Sequence, residues 1–265
     1  MTLLLVEQKF ATGKGLDLIA LVIIWALVLY YIYLKKGEVW IRRLPALDFI
    51  DESIGRAAEM GRPVIDHIGG GSPSEENAPA TVAGLSVLGY VARLTARHGV
   101  ELISPMQVQS TIPMAQDVIR TAYTMEGKGD VFEANMEEML VWAPSNANLV
   151  ALIQRKRPAV HIIIGPTWHE VMQTLEMAGR LGAVNIGGTN RVIQIPIVCA
   201  VCDMSLIGEE IFAVGAYLSK TKSMVGSLAA EDWCKIATMF FSILGIVLAT
   251  LGPSFVKPLT DLFLW

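Results

Sequence analysis

The chain has 265 residues, 53% hydrophobic and 17% charged, with a formal charge of −4 and a mean hydropathy of +0.49. With no dense Lys/Arg face, this balance argues against a nucleic-acid partner. The three cysteines, Cys199, Cys202 and Cys234, make no disulfide framework.

The apolar excess lies largely at the two ends. After an N-terminal segment of residues 1–15, residues 16–34 (LDLIALVIIWALVLYYIYL) approach the ~20 apolar residues that cross a ~30 Å hydrocarbon slab. The run is too long for a signal peptide. No strongly basic segment precedes it and no A-x-A-like site follows, so it reads as a retained transmembrane anchor. Lys35, Lys36, Arg42 and Arg43 follow the run, against Lys9 and Lys14 before it.

Residues 35–62 read as a juxtamembrane linker and a helix, with Leu47, Ile50, Ile54, Ala57 and Ala58 at helical spacing before Gly61 and Pro63. Residues 63–230 then alternate strand and helix. The pattern predicts strands at 64–68, 102–106, 139–143, 160–164, 184–186 and 195–202. Helices are predicted at 81–98, 114–125, 146–157, 168–181 and 208–219. The runs VHIII and IPIVCAVC read as strands buried on both faces. The resulting expectation is an α/β fold: a mostly parallel, Rossmann-like sheet with helices on both faces, flanked by one N-terminal and one C-terminal transmembrane helix.

The second long apolar run gives a transmembrane helix at 234–252, where Phe240, Phe241, Ile243, Leu244, Ile246, Val247 and Leu248 leave no polar face. A buried core helix is the alternative. Lys220, Lys222 and Lys235 precede the run and Lys257 follows it. By the positive-inside rule residues 36–235 are cytoplasmic and both termini lie outside, with 253–265 an interfacial tail. Gly245 and Ala249 form a small-xxx-small pair suited to helix packing, or simply reflect ordinary membrane-helix composition.

Four segments carry a resemblance: LPALDFIDESIGRAAEMGRPV, TVAGLSVLGYVARLTARHGVEL, CAVCDMSLIGEEIFAVGAYLS and GSLAAEDWCKI. In these the chain resembles an uncharacterised prokaryotic membrane family known as a domain of unknown function. The resemblance implies the two-anchor layout. It implies no activity and assigns no catalytic residues.

Ligands in open α/β sheets collect beyond the strand C-terminal ends. The polar residues expected there are Gly69, Gly70, Ser72, Ser145, Thr167, His169, Gly187, Gly188, Thr189, Asn190, Asp203 and Glu209. Glycines and helix N-termini suit an anionic small molecule, while short turns need Gly, Ser and Asn in any case. No GxGxxG or Walker A pattern follows a strand, so no nucleotide cofactor is expected. Glu209 and Glu210 open a helix, where acids complement its dipole; paired acids also suit Mg²⁺ or acid–base work. Cys199-x-x-Cys202, placed on a strand, puts its thiols on opposite faces, so no metal site is expected. His161 reads as a core histidine, and His67 shares the edge of the triple glycine.

The leading expectation is a membrane-anchored structural or interaction protein, with enzymatic activity left open. Its partners are the lipid bilayer and further copies of itself or subunits of a larger membrane complex. The alternatives are a cytoplasmic domain that binds or senses an anionic ligand, and a membrane-tethered enzyme.

Overall fold

A computed structural model describes residues 15–34, 44–168, 170–219 and 221–251. These fall into two units, 41–220 and the terminal pair 1–40 with 221–265.

Unit 41–220 is built on six parallel strands: β1 (Val64–His67), β2 (Leu102–Met106), β3 (Leu140–Trp142), β4 (Val160–Ile164), β5 (Val184–Thr189) and β6 (Met204–Ile207). Their spatial order is β3-β2-β1-β4-β5-β6. This is the Rossmann-like order, and the sense in which successive strands are added to the sheet switches between β1 and β4. The register pairs Ile65 with Ile103 and with His161, and His161 with Asn185.

Side chains alternate across this sheet. Val64, Leu102, Val160, Ile162 and Ile186 point to one face, where they join α2 (Pro45–Met60), α3 (Ala78–His98), α4 (Ile112–Met125) and α9 (Glu210–Ser219) in the largest core cluster. Ile65, Ile103 and Ile163 point to the other, under α6 (Asn146–Lys156), α7 (Glu170–Arg180) and α8 (Ile195–Val201). β1, β2 and β4 are buried throughout, as strands covered on both sides must be.

The structure departs most from the predicted elements at three places. Residues 195–202 are not a strand but the helix α8. Pro196 occupies its first turn, where a missing N–H is harmless, and only Val198 is buried, so the apolar run is not core on all sides. Cys199 therefore lies on α8 and Cys202, with extended backbone, caps its C-terminal end, rather than both lying on a strand. Both are free thiols; burial pushes Cys202 up to about 12, which keeps it protonated and inert. The last strand is instead MSLI, an edge strand paired with β5 alone and only partly buried. The remaining difference is α5 (Gly129–Met139), an acidic segment that buries only Phe132 and Met139 and so shows little periodicity.

In the terminal unit, α1 (Gly15–Leu29) continues into one π-helical turn, Tyr30–Leu34, and α10 runs from Lys222 to Leu251. The Trp233 indole N–H donates to the Tyr31 hydroxyl at 2.5 Å. Gly226 lets Ile32 approach so closely that a Cβ there would lie 2.8 Å from Ile32 Cγ1. Among the described residues no helix is long and apolar enough to cross a membrane. Both helices nevertheless leave large apolar side chains exposed. In α1 these include Leu18, Ile19, Leu21, Val22, Ile23 and Trp25, and in α10 Ile236, Met239, Phe240, Phe241, Ile243 and Ile246. A Cβ built on Gly245 would meet no atom beyond its own helix within 4 Å among the described residues, and the side chain of Ala249 lies outside the described residues.

Candidate functional site

The β1–β4 junction is where a fold of this order gathers its ligands. Here the chain fills that crevice itself. The Gly70 N–H donates to the Pro166 carbonyl at 3.0 Å, tying the β1–α3 turn to the β4–α7 turn. Gly69 and Gly71 both face Pro166 so closely that any Cβ would collide, at Gly69 with its carbonyl oxygen and at Gly71 with its ring. Gly165, at φ +147°, faces the Ile68 carbonyl in the same way. The glycines thus serve a chain-to-chain contact rather than a cradle open to phosphate.

Around this closed base runs a polar rim. The Thr167 hydroxyl donates to the buried Thr189 hydroxyl at 3.0 Å, and the Arg191 N–H donates to Thr189 Oγ1 at 3.2 Å. The Arg191 guanidinium lies 3.3 Å from the Trp168 ring centre, a cation–π stack. On the β2 side Gln107 Nε2 donates to Asn146 Oδ1 at 3.3 Å, and Ser72 hydrogen-bonds with Ser74 and Ser110. Asn190 Oδ1, Arg191 Nε and Gln194 Oε1 are buried with no hydrogen-bond partner among the described residues.

The structure brings Gly69, Gly70, Thr167, Thr189 and Asn190 to this edge, with Ser72 beside it. It places the others elsewhere or gives them structural work. Ser145 caps α6, its Oγ accepting from the Asn148 N–H at 3.3 Å. Gly187 and Gly188 lie within β5, not in a loop; a Cβ at Gly187 would sit 2.5 Å from Cys202 Sγ, so its role is to admit α8. Asp203 does not end a strand. It precedes β6, and its Oδ2 accepts from the Asn185 N–H at 2.8 Å, at the opposite edge of the sheet. Glu209 precedes α9 beside the edge strand β6, and its carbonyl accepts from the Ala213 N–H at 3.0 Å. Glu210 accepts from the Ile207 N–H at 3.1 Å, the helix-start role expected of an acid there. His169 lies outside the described residues. Among the described residues no three His, Cys, Asp or Glu side chains gather to hold a metal.

The family of the domain of unknown function DUF6754 matches residues 6–260. The chain belongs to that family. Comparison with curated proteins found no match. The DUF6754 domain therefore presents a Rossmann-like sheet whose ligand edge is interlocked by its own glycines and proline.

Directly beneath that edge lie three ionisable groups: His67 and His161, which the sequence reading named, and Asp66, which it did not. Asp66 and His67, adjacent on β1, point to opposite faces of the sheet and are each 1% exposed. Asp66 Oδ2 and both ring nitrogens of His67 have no hydrogen-bond partner among the described residues. Burial lifts the Asp66 carboxyl to about 8. Burial, reinforced by His161 on the same face, lowers His67 to about 3. His161 falls to about 4, again chiefly through burial. At neutral pH the two histidines are uncharged and Asp66 is largely protonated. The available signal was a charged residue within a strand of a parallel sheet, where both faces are covered.

Proposed function

We propose that this protein is a membrane-anchored interaction protein: residues 16–34 and 234–252 hold it in the bilayer, and its α/β domain, on the cytoplasmic side, self-associates. The observation that carries this reading is the shell of exposed Leu, Ile, Val, Phe and Trp around α1 and the later part of α10. Helices apolar on all sides are buried in lipid or in protein. The Tyr31–Trp233 hydrogen bond joins the two helices where aromatic side chains suit a membrane interface.

The α/β unit supports the interaction part. Its ligand crevice is filled from within, and the same edge exposes Val192 and Ile193, 79% and 84% accessible, with Trp168 and Met172 also exposed. Exposed aliphatic loop tips of this kind suit a protein partner. A second reading, an anionic-ligand domain, draws on Arg191 Nε and Asn190 Oδ1 at that edge, which have no hydrogen-bond partner among the described residues.

Light scattering of the full chain in lipid nanodiscs of graded size tests self-association. The expected result is a mass at a fixed multiple of the 28.8 kDa chain, lowered toward one chain by Ile193→Glu. A monomer at micromolar concentration in discs large enough for several copies contradicts it.

A further inference from the structure

A cavity lies away from the ligand edge. It has a volume of about 420 Å³ and opens at the N-terminal end of β2, where α3 ends and α4 and α5 close over it. That volume falls within the range of small-molecule sites, roughly 300–1,000 Å³. We infer that this cavity is a binding site for a compact monocarboxylate with an apolar body, its carboxylate held by Lys128.

The walls favour an apolar body. Leu102, Val100, Ala96, Val131 and Met139 line the cavity. The polar buried lining, Thr95 and Tyr123, is already engaged: the Thr95 hydroxyl donates to the Ala92 carbonyl at 3.1 Å and interacts with the Tyr123 hydroxyl. Neither asks for a ligand, and both set the shape of the inner wall.

The charge is carried by Lys128. Its Nζ donates to the Ala96 carbonyl at 2.6 Å, at the C-terminal end of α3, which fixes the ammonium at the cavity wall. One of its three donors is thereby used. The surrounding cations have carboxylate partners: Arg93 and Arg97 share Glu126, Arg120 pairs with Glu133, and Lys156 with Glu101. Lys128 pairs with no carboxylate among the described residues. A part-buried ammonium with two donors left over, beside mainly apolar walls, is the arrangement that selects an anion with an apolar body. Glu101, which also lines the cavity, is held by Lys156 at 2.7 Å, and Glu138 stands at the exposed rim.

The roof has a built-in joint. α5 breaks at Asn135, whose φ of −120° and ψ of 15° leave the helical region, and the Asn135 side chain donates to the Val131 carbonyl at 2.9 Å. Val131 and Asn135 both line the cavity, so the break lies in the wall that a ligand must pass.

Equilibrium dialysis of the full chain in lipid nanodiscs, against empty nanodiscs, tests the site with 2-naphthoate and 4-phenylbutyrate. The uncharged 2-naphthylmethanol serves as the control probe. The expected result is saturable binding of at least one carboxylate, weakened at least tenfold by Lys128→Met and largely restored by Lys128→Arg. Binding of the alcohol should change less than threefold in Lys128→Met. Val131→Phe, at a partly exposed position, should abolish binding of every probe by filling the cavity while the thermal midpoint is kept. The proposal is overturned if neither carboxylate binds at 1 mM beyond the empty discs. It is equally overturned if Lys128→Met binds them as the parent chain does, or if Val131→Phe folds and still binds.

Discussion

Asp66→Asn is expected to stabilise the α/β unit by about 4 kcal/mol at pH 7. The replacement keeps the shape of the protonated side chain and removes the need to hold a proton there. A carboxyl at about 8 in the folded chain and 3.8 in the unfolded one loses about 1.4 kcal/mol of folding free energy for each pH unit between those values. The sign is fixed by proton uptake: the folded state holds the proton that the unfolded state releases, so rising pH favours unfolding until about pH 8.

The buried histidines act in the other direction. His67 and His161 are at about 3 and about 4 when folded, against 6.5 when unfolded. Their neutral forms contribute stability above pH 6.5 that is lost as pH falls toward 3. Between pH 6.5 and 4 the two histidines together lose roughly 2.7 kcal/mol per unit, against the roughly 1.4 gained at Asp66. Stability should therefore peak near pH 6.5 and decline on both sides. The other resolved shifts act toward the ends of the scale: Glu126, at about 2 against 4.5, in acid, and Cys202, Tyr90, Tyr123 and Arg97, all raised, in the alkaline range. Denaturant unfolding of the full chain in detergent at pH 5, 6, 7 and 8 checks this. Asp66→Asn should flatten the fall from 6.5 to 8 while leaving the acid limb steep; parallel profiles would contradict the assignment.

Gly165→Ala should destabilise the same unit by about 3 kcal/mol or more. At φ +147° a side chain is strained, and the new Cβ would strike the Ile68 carbonyl, a backbone atom in the neighbouring turn. Gly84→Ala, whose Cβ would meet the Ile164 carbonyl, should behave similarly because α3 rests on β4 there. The control is Gly55→Ala in α2, with nothing within 4 Å. There the substitution should stabilise by roughly 0.5–1 kcal/mol through helix propensity alone. A Gly165→Ala midpoint equal to that of the parent would mean that the β1 and β4 turns are not interlocked.

Much of the α/β unit was legible because its strongest elements obey one period each. VHIII and LISPM are short apolar runs bounded by turn residues, and α3 carries its apolar positions at helical spacing between Ala78 and Gly99. IPIVCAVC misled because β-branched residues favour strands, while Pro196 and an exposed Cys199 favour a surface helix that needs only Val198 inside. MSLI was hidden because an edge strand needs less burial than a central one. The candidate edge was legible in composition but not in geometry. Gly69, Gly70 and Gly71 read equally as an anion cradle or as a close chain contact, and only the position of Pro166 across the sheet decides between them. The cavity beside Lys128 gave no local signal, since its walls come from segments as far apart in sequence as Thr95 and Met139.

Anchoring in a bilayer is the claim on which the functional reading stands, and alkaline carbonate extraction of membranes carrying the full chain tests it most directly. The chain should stay with the sedimented membranes at pH 11, and residues 63–230 should be cleaved by protease only after the vesicles or cells are opened on the cytoplasmic side. Release of the intact chain into the carbonate supernatant would contradict the account.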